Sequence, residues 1–452
     1  MQHARPAAKN QRRADMRLAR LQCDSEAAPA GLEELAAGGQ LDVLQLDYGR
    51  PASTAVEPGA PTELPEWPRS FAVALRQLSK TLFLEPQFRV IAAAGWADAY
   101  ACVEEAAAAL VAAGCGELPV AAVRGSNLLP ILDMLVAEGV DLKNIETGAR
   151  WRDLREPPLA ADLHLGAGPL AAALAEQARV VVAGWYDPLA PALAAAVDQY
   201  SWPWRDYHRL AAAAVAARAA AWSDWEGAGE APAGAALSAP WQVRYVDIAA
   251  DAQATVHLSA ASSPAAADRL RHWLAACDDG PAATGSAGVR LDVSNLKVTL
   301  AGPHQLSLDG AAGAKADGTW LLEILYQTGF SAEALVEIEP AADPHLRKHI
   351  VKSAKKQLQP PGDSGTASVK ELQPLGAAAA PGWIHLAYHS KSRKACHHFA
   401  DLALKLVGAY RPWLRLATGA PTVHVNCGTW LARVPRDAVD IAVETRLAKE
   451  WA

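Results

Sequence analysis

The sequence predicts an α/β protein: a mostly parallel sheet with helices on both faces over residues 35–235, then an α+β lobe over 236–357. Two observations carry this. Short apolar runs alternate with helix-period segments through the first half, as repeated βα units require. After Gly227, strand-like runs cluster with few helices between them, the pattern of an α+β arrangement. At 452 residues, with 51% apolar and 20% charged content, the chain has the composition of a folded protein of more than one domain.

Residues 41–47, 88–93 and 118–123 read as strands. Residues 179–183 give the clearest one, a continuous β-branched run ended by Gly184, as expected of a strand covered on both faces. Over residues 98–113, Val103, Ala107, Leu110 and Val111 form one apolar helical stripe. The next helix is expected to start near Ser126 and Asn127, hold Pro130 in its first turn and stop at Gly139; another opens at Gly168 and Pro169. Residues 227–237, rich in Gly, Ala and Pro, read as a loop. Strand-like runs follow at 241–248, 253–258, 289–300 and 319–327, with a helix near 265–277 and a basic helix over 344–357. Residues 358–381 have the composition of a linker. The last piece, 382–452, reads as a small α+β domain with strands at 383–388, 421–427 and 437–444 and a helix near 396–409. Residues 1–34 are set aside as a poorly ordered or divergent start.

Lys and Arg number 42 against 49 Asp and Glu, a net charge of −7, so no nucleic-acid partner is expected. No window reaches the ~18 consecutive apolar residues of a spanning helix, so no membrane partner is expected either. The six cysteines are widely spaced and form no C-x-x-C, which fits reduced thiols in an intracellular, cytoplasmic setting. Arg5, Lys9, Arg12, Arg13, Arg17 and Arg20 make the start basic, a feature of organelle import segments; a solvated basic start is the simpler reading. Fifteen Trp against five Phe, together with abundant Ala, Gly, Pro and Arg, is the mark of a codon bias and argues for no aromatic ligand site.

Loops at the C-terminal ends of parallel strands are where α/β folds bind ligands. Here residues 95–98, 124–127 and 184–187 hold the polar candidates Gly95, Asp98, Arg124, Ser126, Asn127, Gly184 and Asp187. Arg124 with helix-start N–H groups suits a phosphate or carboxylate, while Ser126 and Asn127 are equally good helix caps. Asp98 and Asp187 read more simply as caps or turn residues than as catalysts. His164 and Gly166 precede a helix, but the third glycine of a dinucleotide fingerprint is replaced by Ala171, so no cofactor is expected. Cys396, His397 and His398, with His385 and His389 nearby, invite a metal. Neighbours on a helix point about 100° apart, so none is expected. Residues 345–356 hold five Lys or Arg and no acid, most simply a solvated helix face. G-x-S-x-G, Walker A and H-E-x-x-H motifs are absent.

Several stretches resemble the acyclic terpene utilisation (AtuA-like) family. Residues 162–167 (DLHLGA) look like its N-A-Y-L-G-A, and 180–184 followed by Asp187-Pro188 resemble its strand ending in G-R-x-x-D-P. Residues 201–211 (SWPWRDYHRLA) are similar to its G-W-x-W-D-D-x-x-x-L-A, residues 291–295 to its second lobe and 383–399 to the start of its C-terminal domain. The resemblance implies that 35–235 is an AtuA-like core and that 382–452 is ferredoxin-like. It also implies a place in the breakdown of branched, terpene-derived acyl compounds.

Several family motifs are degenerate here. The opening glycine-rich turn is replaced by residues 17–25 (RLARLQCDS), which have no glycine to admit an anion to the backbone. The strand-end arginine is gone from 184–187, and G-H-x-x-E-C is replaced by residues 217–222 (ARAAAW). Of R-S-G-D-K-G only Lys394 survives in 390–395, with Arg393 at the acid's position. The resulting expectation is a weakly active or non-catalytic binder of a carboxylate or acyl-CoA ligand. The alternatives are an active enzyme using Arg124, Asp98, His164 and Asp187, or an assembly protein forming homo-oligomers.

Overall fold

The computed structural model describes residues 15–49, 53–55, 66–222, 243–276, 287–339, 342–372 and 382–452. The expected loop at 227–237, the last residues of the expected linker and most of the basic start lie outside the described residues.

The chain begins with β1 (Met16–Cys23), α1 (Leu32–Gly39), β2 (Val43–Tyr48) and β3 (Ser53–Ala55). Helix α2 (Ser70–Leu84) leads to β4 (Arg89–Ala93), and α3 (Ala99–Ala112) to β5 (Pro119–Arg124). There follow α4 (Leu132–Ala137), β6 (Pro158–His164), α5 (Ala167–Ala175), β7 (Val180–Ala183), α6 (Ala190–Tyr200) and α7 (Tyr207–Ala219). The second half continues through β8 (Val243–Ile248), β9 (Ala254–Leu258), α8 (Pro264–Ala276), β10 (Val289–Asp292), β11 (Lys297–Gly302), β12 (Gln305–Asp309) and β13 (Ala312–Lys315). Then come the 20-residue β14 (Thr319–Ile338), α9 (Pro344–Gln357), β15 (Thr366–Leu372), β16 (Gly382–Ser390) and α10 (Arg393–Ala409). The chain ends with β17 (Leu414–Leu416), β18 (Val423–Pro435), β19 (Ala442–Leu447) and α11 (Ala448–Trp451).

One sheet runs in the order β11-β12-β9-β8-β1-β2-β4-β7-β5-β19. Its middle, β1-β2-β4-β7-β5, is parallel, while β8 and β19 join antiparallel at the two edges of that block. The sheet is therefore mixed rather than mostly parallel. The strands expected to build a separate α+β lobe, β8, β9, β11 and β12, instead extend it.

Residues 16–23 are the largest departure from expectation: this stretch, set aside as a divergent start, is a central strand. Its arginines look solvated in the sequence but are paired. Arg17 forks onto Asp247 with two 2.7 Å hydrogen bonds, and Arg20 donates to Asp47 at 2.5 Å.

Because successive side chains alternate across a strand, the sheet has two cores. On one face Leu44, Leu46, Val90 and Val182 meet Phe71, Leu75, Leu78, Val103 and Leu110 of α2 and α3. On the other, Leu18, Val43, Ile91 and Val181 meet Leu170, Leu193, Leu210 and the buried alanines of α5, α6 and α7. Each large aliphatic side chain so buried contributes roughly 1.5–3 kcal/mol. The small alanines let α6 and α7 lie close to the strands. The helix expected from Ser126 to Gly139 is shorter: only 132–137 is α-helical, after a single 3-10 turn at Leu129–Ile131.

A second sheet has the order β15-β16-β14-β18-β3, with β6 and β17 also paired to β14. Helices α9 and α10 cover it, with Phe330, Val336, Leu386, Tyr388, Phe399 and Leu406 in its core. Strand β15 lies within the expected linker, and the expected boundary at residue 382 falls inside this sheet, since β14 precedes it and β16 to β18 follow. Strand β19 leaves the C-terminal segment altogether and pairs with β5.

Candidate functional site

The connection from β4 passes over one position to β5, and β7 returns to fill the gap. Ligands of open α/β sheets bind at the carboxyl ends of strands where the winding direction changes in this way. The loops after β4, β5 and β7 share that end. The β6 strand and the residue after it are stitched to two of them: Leu163 N–H donates to Ser126 O (2.8 Å), Leu165 N–H to Trp185 O (3.1 Å) and Asp187 N–H to Leu165 O (2.9 Å). Since β6 pairs with β14, the second sheet abuts this end of the first.

Gly95, Ser126 and Gly184 come together. A Cβ placed on Gly184 would sit 2.2 Å from Ser126 Oγ and 3.2 Å from Gly95 O, so only glycine lets the loops approach this closely. Asn127 braces two loops: its side-chain N–H donates to Ala97 O at 3.0 Å, and its Oδ1 accepts from Leu129 N–H at 3.0 Å. Asp98 caps α3 by accepting from Tyr100 N–H (2.9 Å) and Ala101 N–H (3.1 Å). Exposed Arg124 places its guanidinium 5.1 Å above the Tyr100 ring. The Tyr100 hydroxyl donates to Glu444, whose other partner is Arg446; these hydrogen bonds hold the Glu444 carboxyl below its ordinary range.

His164 projects from the end of β6. Its Nε2 lies 2.9 Å from Glu323 Oε2 on β14, a diagonal cross-strand pair, and its ring meets Trp185 edge-on at 5.8 Å. Gly166 is the N-cap of α5 and supplies no side-chain cap; the following N–H, of Ala167, donates to Ala287 O at 2.9 Å. Asp187 accepts from Leu189 N–H (3.0 Å) through one oxygen and from Ala287 N–H (3.1 Å) through the other. Burial pushes its pKa above the ordinary carboxylate range, with these backbone donors, His164 and Arg218 acting in the opposite direction. The candidate residues of these loops thus gather at one end of the sheet, but their acids point into the protein's own hydrogen bonds. Lys394 is elsewhere, exposed in the first turn of α10 on the second sheet.

Two sets of residues escaped the sequence reading. Glu323, the partner of His164, depends on a strand register no local pattern reveals. Beneath the 184–188 loop, Asp47 accepts from Arg20, from Gln45 Nε2 (2.9 Å) and from the Tyr186 hydroxyl (3.1 Å), while Gln45 Nε2 also reaches Pro188 O at 3.0 Å. A buried Gln and Asp inside the apolar run of β2 was the available signal. Among the described residues no group of three or more His, Cys, Asp or Glu could hold a metal ion. His385 is paired with Glu333 at 2.9 Å, and the buried Cys396 thiol is pushed up to about 11 by desolvation.

The family model described as acyclic terpene utilisation family protein AtuA matches residues 17–220. Over that span, less than half of the chain, the sequence is similar to the AtuA family. No curated protein and no solved structure matches the chain. The AtuA span runs from β1 through α7 and includes every parallel strand, β6 and each candidate residue of the strand-end loops. It stops short of Glu323, so the partner of His164 is supplied from outside the AtuA span, and Lys394 lies outside it too.

Proposed function

We propose that the AtuA-like part of the chain binds a carboxylate or acyl-thioester ligand at the carboxyl ends of β4, β5 and β7 and performs little or no chemistry on it. The supporting observation is the commitment of the acids. Asp187 accepts a backbone N–H on each oxygen, and Asp98 takes two N–H groups of α3 on its Oδ1 as a helix cap, so both acids serve the fold as acceptors. Arg124 remains as an exposed cation at the same end, suited to an anionic group. The degenerate polar motifs noted in the sequence agree with a scaffold kept while its chemistry is lost.

One arrangement favours a second reading, an enzyme with a rebuilt site. His164 and Glu323 form an imidazole–carboxylate pair of the kind that orients a general base. Calorimetric titration with a branched acyl-CoA, alongside chromatographic assay of the same mixture, separates the two. Binding without turnover, weakened about threefold to fivefold by Arg124→Gln as for one exposed charge contact, is the expected result. Turnover at enzyme-like rates that His164→Gln abolishes would establish the second reading instead, and absence of any binding would remove both.

A further inference from the structure

A cavity of about 600 Å³ lies between the end of α4 and the segment that leads into β6. Its volume falls within the range typical of small-molecule sites. Lys143, Arg150 and Arg152 line it, opposed by a single lining acid, Asp141. All three cations are exposed, and among the described residues none has a carboxylate within ion-pair distance. Its apolar wall is Val136, Val140 and the half-buried Trp151.

The loop that presents these groups is held rigidly. Buried Asn144 accepts through its side chain from Glu146 N–H (2.9 Å) and Thr147 N–H (2.8 Å). The turn closes with Gly148 N–H donating to Asn144 O at 2.9 Å, and Gly148 has φ +72, which a side chain would strain. Strand β18 anchors the loop at two points: Ile145 N–H donates to Leu431 O (2.9 Å), and Trp430 Nε1–H donates to Leu142 O (2.9 Å). Trp430 also meets Trp151 edge-on at 5.6 Å, fixing that ring at the cavity. Freely solvated cations need no such support, whereas a preorganised site does, since order established before binding is not lost on binding.

The geometry points to a binding site for an organic anion that joins a phosphate, sulfonate or carboxylate group to an aromatic or apolar body. The cations take the anionic group, and the Trp151 side takes the body. Calorimetry with 8-anilinonaphthalene-1-sulfonate as the probe, and with uncharged N-phenyl-1-naphthylamine as its counterpart, tests this. One-to-one binding of the sulfonate is expected, at least tenfold tighter than that of the neutral ring system. The triple substitution Lys143→Gln, Arg150→Gln, Arg152→Gln should weaken the sulfonate about tenfold, from three exposed charge contacts acting together. Asp141→Asn should tighten it, a gain that a damaged fold cannot produce. Equal binding of both probes, or affinities that none of these substitutions moves, would overturn the assignment.

Discussion

Replacing Asp187 tests whether this strand-end acid is a structural acceptor. Its two oxygens receive the Leu189 and Ala287 N–H groups at 3.0 and 3.1 Å, and the second bond joins the β7 loop to a segment 100 residues away. At about 1–1.5 kcal/mol net for each such bond, Asp187→Ala should cost about 2–3 kcal/mol. Asp187→Asn keeps one acceptor oxygen but turns an amide N–H toward the other donor, so it should cost about 1–2 kcal/mol. Urea unfolding at pH 7 followed by far-ultraviolet circular dichroism measures both. Hydrogen exchange should show the faster-opening amides at 189 and 287. A fully stable Asp187→Ala protein with unchanged protection at those amides would refute the structural role and return Asp187 to the list of chemical groups.

Two further predictions follow from the same geometry. Gly184→Ala alone should destabilise by about 1–3 kcal/mol through overpacking, because its Cβ falls 2.2 Å from Ser126 Oγ. In a Ser126→Ala background most of that cost should vanish; equal costs in the two backgrounds would mean the loops do not meet there. The pairing of β1, β8 and β9 predicts a pH dependence. Burial works to raise the pKa of Asp247, but hydrogen bonds from Arg17 and His257 outweigh it and hold the group below the ordinary carboxylate range. Its stabilisation is therefore complete above about pH 4 and is lost as pH falls through the depressed value. Asp247→Asn should cost about 2–3 kcal/mol at pH 7, less than for a fully buried pair, since the partners keep 12% and 15% side-chain exposure. Urea midpoints should show the gap to the parent protein narrowing toward pH 3; a gap that widens would contradict the assignment.

Strands β2, β4, β5 and β7 are legible in the sequence because burial on both faces makes them continuous apolar runs. Strand β1 is not, because Arg17 and Arg20 interrupt it and their partners Asp247 and Asp47 are distant in the chain. The same limit hides β6, whose Asp162 and His164 look like loop polarity until β14 is placed beside them. It also hides the partner of β19: the strand expected at 437–444 overlaps it, but its return to β5 spans a separation no local pattern encodes. At the site, residue type suffices for Asp98 and Asn127, since short polar side chains before a helix satisfy its first N–H groups. The Glu323 partner of His164 and the Asp47 cluster under Tyr186 require three-dimensional register, which composition and spacing do not carry.

The most direct measurement is a time course of the purified protein with a saturating branched acyl-CoA, resolved by liquid chromatography and mass spectrometry. Asp187 is held by a backbone donor on each oxygen and Asp98 caps α3, so the thioester should be recovered intact while remaining associated with the protein. Its conversion to a new product at enzyme-like rates would contradict the account.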